Sequence, residues 1–174
     1  IYTSTTSTFG DAMRPGKGEP AAWVTEQLRP KPKNIYGVTK NSAEELCELF
    51  NRHTELPCIV LKTSRFFAEE DDVKGQRDQF DDANLKVNEL LYRRVDIADI
   101  VTAHTLAISK ATSIGFGRFI ISSTTPFDRR DATDLGLDAI SVLKKYVPEY
   151  MEEYERRNWK MFQTLDRVYD NSLA

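Results

Sequence analysis

An α/β fold with a parallel sheet is the class this 174-residue sequence predicts, and two observations predict it. Short β-branched or apolar runs, "IYTST" (1–5), "CIVLK" (58–62) and "RFIIS" (118–122), are spaced by longer helical patterns, the alternation that βαβ units impose. The last two runs are also nearly continuous in apolar residues, as strands covered on both faces require.

The elements follow in order. "IYTST" reads as a strand running into a hydroxyl-rich loop. From Phe9 to about Lys33 the chain is punctuated by Gly10, Pro15, Gly16, Gly18, Pro20, Pro30 and Pro32. This predicts a long loop with at most a short turn around "AAWVTEQL", and loops of that length in a compact domain tend to be functional. A helix is expected from about Ile35 to His53, with Ala43, Leu46, Leu49 and Phe50 along one face. "EEDDVKGQRDQFDD" reads as a solvated acidic loop. Two helices follow, in "ANLKVNELLY" and "RRVDIADIVTAHTLAISKA", the second with Ile97, Val101, His104 and Ile108 on one stripe. "DATDLGLDAISVLKKYV" is a helix stopped by Pro148, and "EYMEEYERRNW" is a charged, exposed one. Three strands are fewer than a sheet usually has, and the first residue already sits in mid-sheet. The expectation is therefore the C-terminal part of a longer protein.

Composition narrows the function classes. A net charge of −3 does not fit a nucleic-acid-binding footprint, which needs clustered excess Lys and Arg. No apolar run reaches the length of a membrane span, and the first residues lack the pattern of a signal peptide, so a cytoplasmic enzyme or enzyme-like domain is expected. Cys47 and Cys58 fall in a helix and a strand and read as buried free thiols. His53 and His104 are far apart, with no Cys or Asp cluster to complete a metal set, so no metal is expected. His53 favours a helix C-terminal dipole, and His104 reads as a packed core histidine. Trp23 and Glu26 either border a substrate cleft or pin the long loop down. Trp159 and Phe162 read as packing for the C-terminal helix.

The chemistry concentrates in "NIYGVTKNSAEEL" (34–46). Tyr36 and Lys40 are four residues apart and share a helix face. An ammonium within about 4–6 Å of a phenol favours the phenolate, which makes tyrosine a usable general acid/base. Gly37 between them leaves room for a flat ligand. A bare Y-x-x-x-K also arises as a surface tyrosine stacked on a lysine stem. Here, however, the pair follows a strand ending in "TSTTST", at the carboxyl end of the sheet, where open α/β sheets bind ligands.

The segments "IYTSTTSTFGD", "YGVTK", "CIVLKTSRFF" and "RRVDIADIVTAHTLAI", in that order, resemble the extended short-chain dehydrogenase/reductases, the NAD(P)-dependent epimerase/dehydratase group. The resemblance implies a Rossmann-like, doubly wound parallel sheet with a small C-terminal substrate-binding part. Residues 1–122 would be the second half of the cofactor domain and residues 123–174 a mostly helical substrate-side region. It implies NAD or NADP as cofactor, Thr5 as catalytic hydroxyl with Ser4 beside it, Tyr36 as acid/base, and Lys40 as the lysine that also holds the nicotinamide ribose. Thr63 and Ser64 match the turn that meets the nicotinamide carboxamide. Phe9, Arg65, Arg93 and Arg94 match substrate-side positions, with Asp96 and Asp99 as alternative structural partners for the two arginines. A small-molecule substrate such as a nucleotide sugar and a homodimer built on the Tyr–Lys helix are implied too, with no nucleic-acid or membrane partner. The activity implied is an epimerase, dehydratase or reductase acting at a hydroxyl/keto carbon. The alternative is a non-catalytic binding or regulatory fragment of the same fold.

Departures fall on the substrate side: Phe9 stands for a common Tyr, Arg65 for Asn, Asp96 for His and Ala68 for Gly. No Gly-rich dinucleotide turn is present among the eight glycines, so the pyrophosphate and adenosine site is expected to lie outside this sequence.

Overall fold

The computed structural model describes residues 1–16, 18–70 and 74–174. The chain starts as β1 (Tyr2–Thr5), crosses the long loop through β2 (Ala22–Val24), and enters α1 (Ile35–Thr54) and then β3 (Cys58–Thr63). Helices α2 (Lys74–Gln79), α3 (Asp82–Leu90) and α4 (Ile97–Ile114) lead to β4 (Phe116–Ile121). The remainder is α5 (Ala132–Leu137), α6 (Ala139–Tyr146), α7 (Tyr150–Arg157) and β5 (Arg167–Tyr169).

The expected parallel α/β architecture is what forms: β1, β3 and β4 make an all-parallel sheet in the order β1-β3-β4, with Ser4 opposite Lys62 and Thr5 opposite Thr63. Because successive strand residues point to opposite faces, the sheet sorts its side chains. Ile59, Leu61, Phe119 and Ile121 pack with Ile100, Ala103, Ala107 and Ala111 of α4. The intervening residues, Lys62 and Ile120 among them, face the side of α1 and Phe9. Among the described residues β1 pairs only with β3, which leaves its other edge open.

Asn34 starts α1 by accepting the Gly37 amide at 2.9 Å, and Glu55 ends it in the left-handed region at φ 57. The apolar stripe read from the sequence does not face the sheet. Leu46, Leu49 and Phe50 are exposed, and the residues α1 buries are Gly37 and Glu44. On α4 likewise Ile97, Val101 and Ile108 are exposed, and the buried face runs through Ile100 and Ala107. Small alanines let that helix sit close to β3, which a periodicity count weighted toward large residues overlooks.

Three further readings change. "AAWVTEQL" holds more than the expected turn: ahead of the turn that the Leu28 amide closes on the Thr25 carbonyl at 3.1 Å, it contains β2, which pairs in parallel with β5 across most of the chain length, Val24 against Tyr169. The acidic segment is not all loop, since α2 forms within it with an exposed Lys74–Asp78 ion pair at 2.7 Å; its residues 71–73 lie outside the described residues. "DATDLGLDAISVLKKYV" breaks at Asp138, whose carboxylate accepts the Ser141 amide and caps α6. Leu135, Ala139, Leu143, Leu165 and Val168 form a core that also takes in Ala21 and Tyr92, so the helical C-terminal part interleaves with residues from the first 122. No helix among the described residues is long and apolar enough to cross a membrane.

Candidate active site

A cavity of about 640 Å³ opens at the carboxyl ends of β1 and β3. The residues singled out in the sequence line it, all but Phe9 and Arg94: Ser4, Thr5, Tyr36, Lys40, Thr63, Ser64, Arg65 and Arg93. Parallel pairing puts Thr5 beside Thr63, and the chain then leaves both strands in loops. After Thr5 it turns sharply: Thr5 Oγ1 accepts the Ser7 amide at 3.1 Å and the Thr5 carbonyl accepts the Thr8 hydroxyl at 2.9 Å. Gly10 closes this turn at φ 53, where a Cβ would lie 2.1 Å from the Lys31 carbonyl oxygen.

Tyr36 is half exposed at the first turn of α1 and looks into the cavity. Lys40, one turn on, donates to the Thr3 carbonyl at 3.0 Å and lies 5.0 Å from the Tyr2 ring centre. Gly37 does not make room for a ligand. A Cβ there would come 3.2 Å from both the Ser7 carbonyl oxygen and Pro32 Cβ, so the missing side chain lets α1 dock on the turn that carries Thr5.

Ser4 is buried and its hydroxyl donates to Glu44. Lys62 holds the same carboxylate at 2.6 and 2.7 Å, with Arg118 at 3.6 Å. Burial pushes the Lys62 ammonium below its usual pKa, against the pull of Glu44. The Ser64 hydroxyl is buried in the cavity wall and has no hydrogen-bond partner among the described residues. Buried polar groups are seldom left unpaired, so this one is available to a ligand.

Two expectations on the substrate side are corrected. Phe9 is 1% exposed and packs in the core with Met13, Val24 and Ile120, where its ring also covers the Lys62 ammonium. Arg94 is buried, bonded to Glu89 at 2.9 Å and to the Phe67 carbonyl. The partner of both arginines is Glu89, which Arg93 meets at 2.6 Å, and not Asp96, which caps α4 through the Ala98 amide at 2.8 Å. A Glu four residues before an Arg on a helix was the signal available for this pairing. Arg167 and Tyr169 of β5 complete the wall together with Phe66 and Phe67. Sequence reasoning missed Arg167 and Tyr169 because only the β2–β5 pairing carries them to the cavity.

The smaller candidates settle as structural. His104 Nε2 meets Thr3 Oγ1 and Nδ1 meets the Ile100 carbonyl, both at 2.8 Å. Trp23 donates to Asp170 at 2.9 Å and Glu26 accepts the Ile120 amide at 2.8 Å, so both hold the long loop down. No group of acidic, His or Cys residues suited to a metal occurs among the described residues.

Residues 1–121 match the sequence profile of the NAD dependent epimerase/dehydratase family. No curated protein sequence matches significantly. Among solved structures, UDP-N-acetylglucosamine 4-epimerase from Bacillus cereus is similar at 16% identity and a TM-score of 0.53, over 98% of this chain and 51% of that one. UDP-glucuronic acid 4-epimerase from Bacillus cereus in complex with NAD is similar at 20% identity and a TM-score of 0.53, over 99% of this chain and 52% of the other. UDP-N-acetylglucosamine 4-epimerase from Methanobrevibacter ruminantium M1, in complex with UDP-N-acetylmuramic acid, gives 12% identity and a TM-score of 0.54 over 99% and 54%. At these identities the likeness is one of fold, and the chain spans about half the length of each.

Proposed function

The chain belongs to the NAD-dependent epimerase/dehydratase family, and on that premise we propose that it carries the catalytic half of an enzyme acting at a hydroxyl/keto carbon of a nucleotide sugar. The observation that carries the proposal is the meeting of Thr5, Tyr36 and Lys40 in one cavity at the carboxyl ends of the parallel strands.

In this reading the nicotinamide cofactor, NAD or NADP, supplies the hydride chemistry. Tyr36 takes the proton from the substrate hydroxyl as the carbonyl forms and returns it in the reverse direction. Thr5 hydrogen-bonds the same oxygen, and the Lys40 ammonium holds the cofactor ribose. The unpartnered Ser64 hydroxyl, beside Thr63, fits a carboxamide, which both donates and accepts. Arg93, paired with Glu89 at 2.6 Å, and Arg167, paired with Asp166 at 2.6 Å, bring guanidinium donors of the kind a diphosphate engages to the far wall, and Phe66 and Phe67, stacked at 4.5 Å, offer an apolar surface. The exposed Ile35, Val38, Leu46 and Phe50 on α1 support a homodimer through that helix. Light scattering showing a monomer would remove the dimer.

The test is Tyr36→Phe. Turnover of a UDP-sugar is expected to fall by about 10²- to 10⁴-fold with NADH affinity, read from its fluorescence, close to wild type. Retained turnover would refute the assignment, and loss of NADH binding together with unfolding would make Tyr36 a structural residue.

A further inference from the structure

Tyr36, Lys40 and Glu44 lie at successive i, i+4 positions of α1 and so form one stripe along the helix. The first two reach the cavity. The third is 1% exposed and enters the sheet, where its carboxylate touches every strand. It accepts from Ser4 of β1, is paired with Lys62 of β3 at 2.6 and 2.7 Å, and has Arg118 of β4 at 3.6 Å. Arg118 extends the network outward to Glu45 at 3.0 Å and Glu48 at 2.8 Å, again on α1. Each sheet partner nearest the cavity adjoins a cavity residue: Ser4 precedes Thr5, and Lys62 precedes Thr63, whose hydroxyl donates to the Ser4 carbonyl at 3.0 Å.

Apolar packing does little to seat this helix. Its large apolar residues point outward, and the residues it buries are a glycine and Glu44. Apolar contacts are non-directional and tolerate sliding. A carboxylate fixed by an ammonium and a hydroxyl does not, because each bond has a narrow range of length and angle. A buried ion pair is also a poor route to stability, since apolar residues of similar volume often serve as well or better. The structure therefore spends a costly interaction where only geometry repays it.

We propose that Glu44, clamped by Lys62 and Ser4, is the positioning residue of the site: it sets the height and rotation of α1, and so places Tyr36 and Lys40 against Thr5. The proposal rests on the catalytic reading above, but its first readout does not require turnover.

The experiment uses protein labelled with ¹³C at the tyrosine Cζ. The Tyr36 line among the seven tyrosines is assigned with Tyr36→Phe. Two variants are compared. Glu44→Leu/Lys62→Met removes both charges and keeps the volume, so the fold is retained; Glu44→Asp keeps the charge but shortens its reach. In each folded variant the Tyr36 line is expected to shift or split. With a UDP-sugar, kcat is expected to fall by about 10- to 100-fold, the scale of an ångström's misplacement, at a KM near wild type. A Tyr36 line unchanged in a folded variant overturns the proposal. A displaced line in a protein whose wild type turns over no UDP-sugar upholds the positioning role while the catalytic reading fails.

Discussion

The two faces of the β1-β3-β4 sheet are made by the same strands and solve the same packing problem in opposite ways. Toward α4, Ile59, Leu61 and Ile121 meet Ile100 and a row of alanines, an apolar layer with the Thr3–His104 hydrogen bond at its β1 edge. Toward α1, one residue along the pleat, Lys62 is 2% exposed and Glu44 1%, an ion pair sealed inside the protein. Desolvating two charges costs several kcal/mol each in practice and is offset only by close mutual contact and further hydrogen bonds. The apolar face stabilises without fixing a register to a fraction of an ångström. The charged face fixes a register at some expense of stability, and it carries Tyr36 and Lys40.

That contrast can be broken most severely by removing one charge. Lys62→Met leaves the Glu44 carboxylate buried with the Ser4 hydroxyl and a more distant Arg118. Unfolding free energy in urea is expected to drop by about 3–5 kcal/mol, and a loss below 1 kcal/mol would show that solvent reaches the site. Next is Leu61→Ala on the opposite face. A cavity there is expected to cost about 2–5 kcal/mol, with kcat per folded molecule within twofold of wild type. If kcat collapsed as well, the division of labour between the faces would be wrong.

The smallest effect concerns an ion cluster outside both faces. On α7 the guanidinium groups of Arg156 and Arg157 beside Glu153 hold its carboxyl at about 2. A depressed folded pKa contributes stability above the unfolded value of 4.5, and that contribution is lost as pH falls from there toward 2. Glu153→Gln is expected to flatten the fall of the thermal midpoint across this window only slightly, because exposed pairs are screened by water. A large flattening would place the cluster in a drier setting than its surface position allows.

Much of the scaffold could be read from the sequence because it is written in local chemistry. The apolar runs at 58–62 and 118–122 announce buried strands, and four-residue spacing alone puts Tyr36 and Lys40 on one face. Eight of the seventeen residues that line the cavity were legible too, Tyr36 and Lys40 from their spacing and Thr63, Ser64, Arg65 and Arg93 only through the family resemblance. Other features depend on partners the sequence does not bring together. Hydrophobic periodicity says that a helix has an apolar side, not that this side turns to the sheet: the large residues of α1 turned outward, and on α4 Ile97, Val101 and Ile108 did so while Ile100 turned in. β2 is a strand only because β5 arrives beside it, and that same pairing delivers Arg167 to the site. Lys62 sits in an apolar run where a lone charge would be excluded, and its presence makes sense only once Glu44 descends from α1 onto it. Local propensity and spacing are properties of neighbours in the chain and can be read from it; the neutralisation of a buried charge and the choice of an edge partner are properties of neighbours in space, and only the folded molecule decides them.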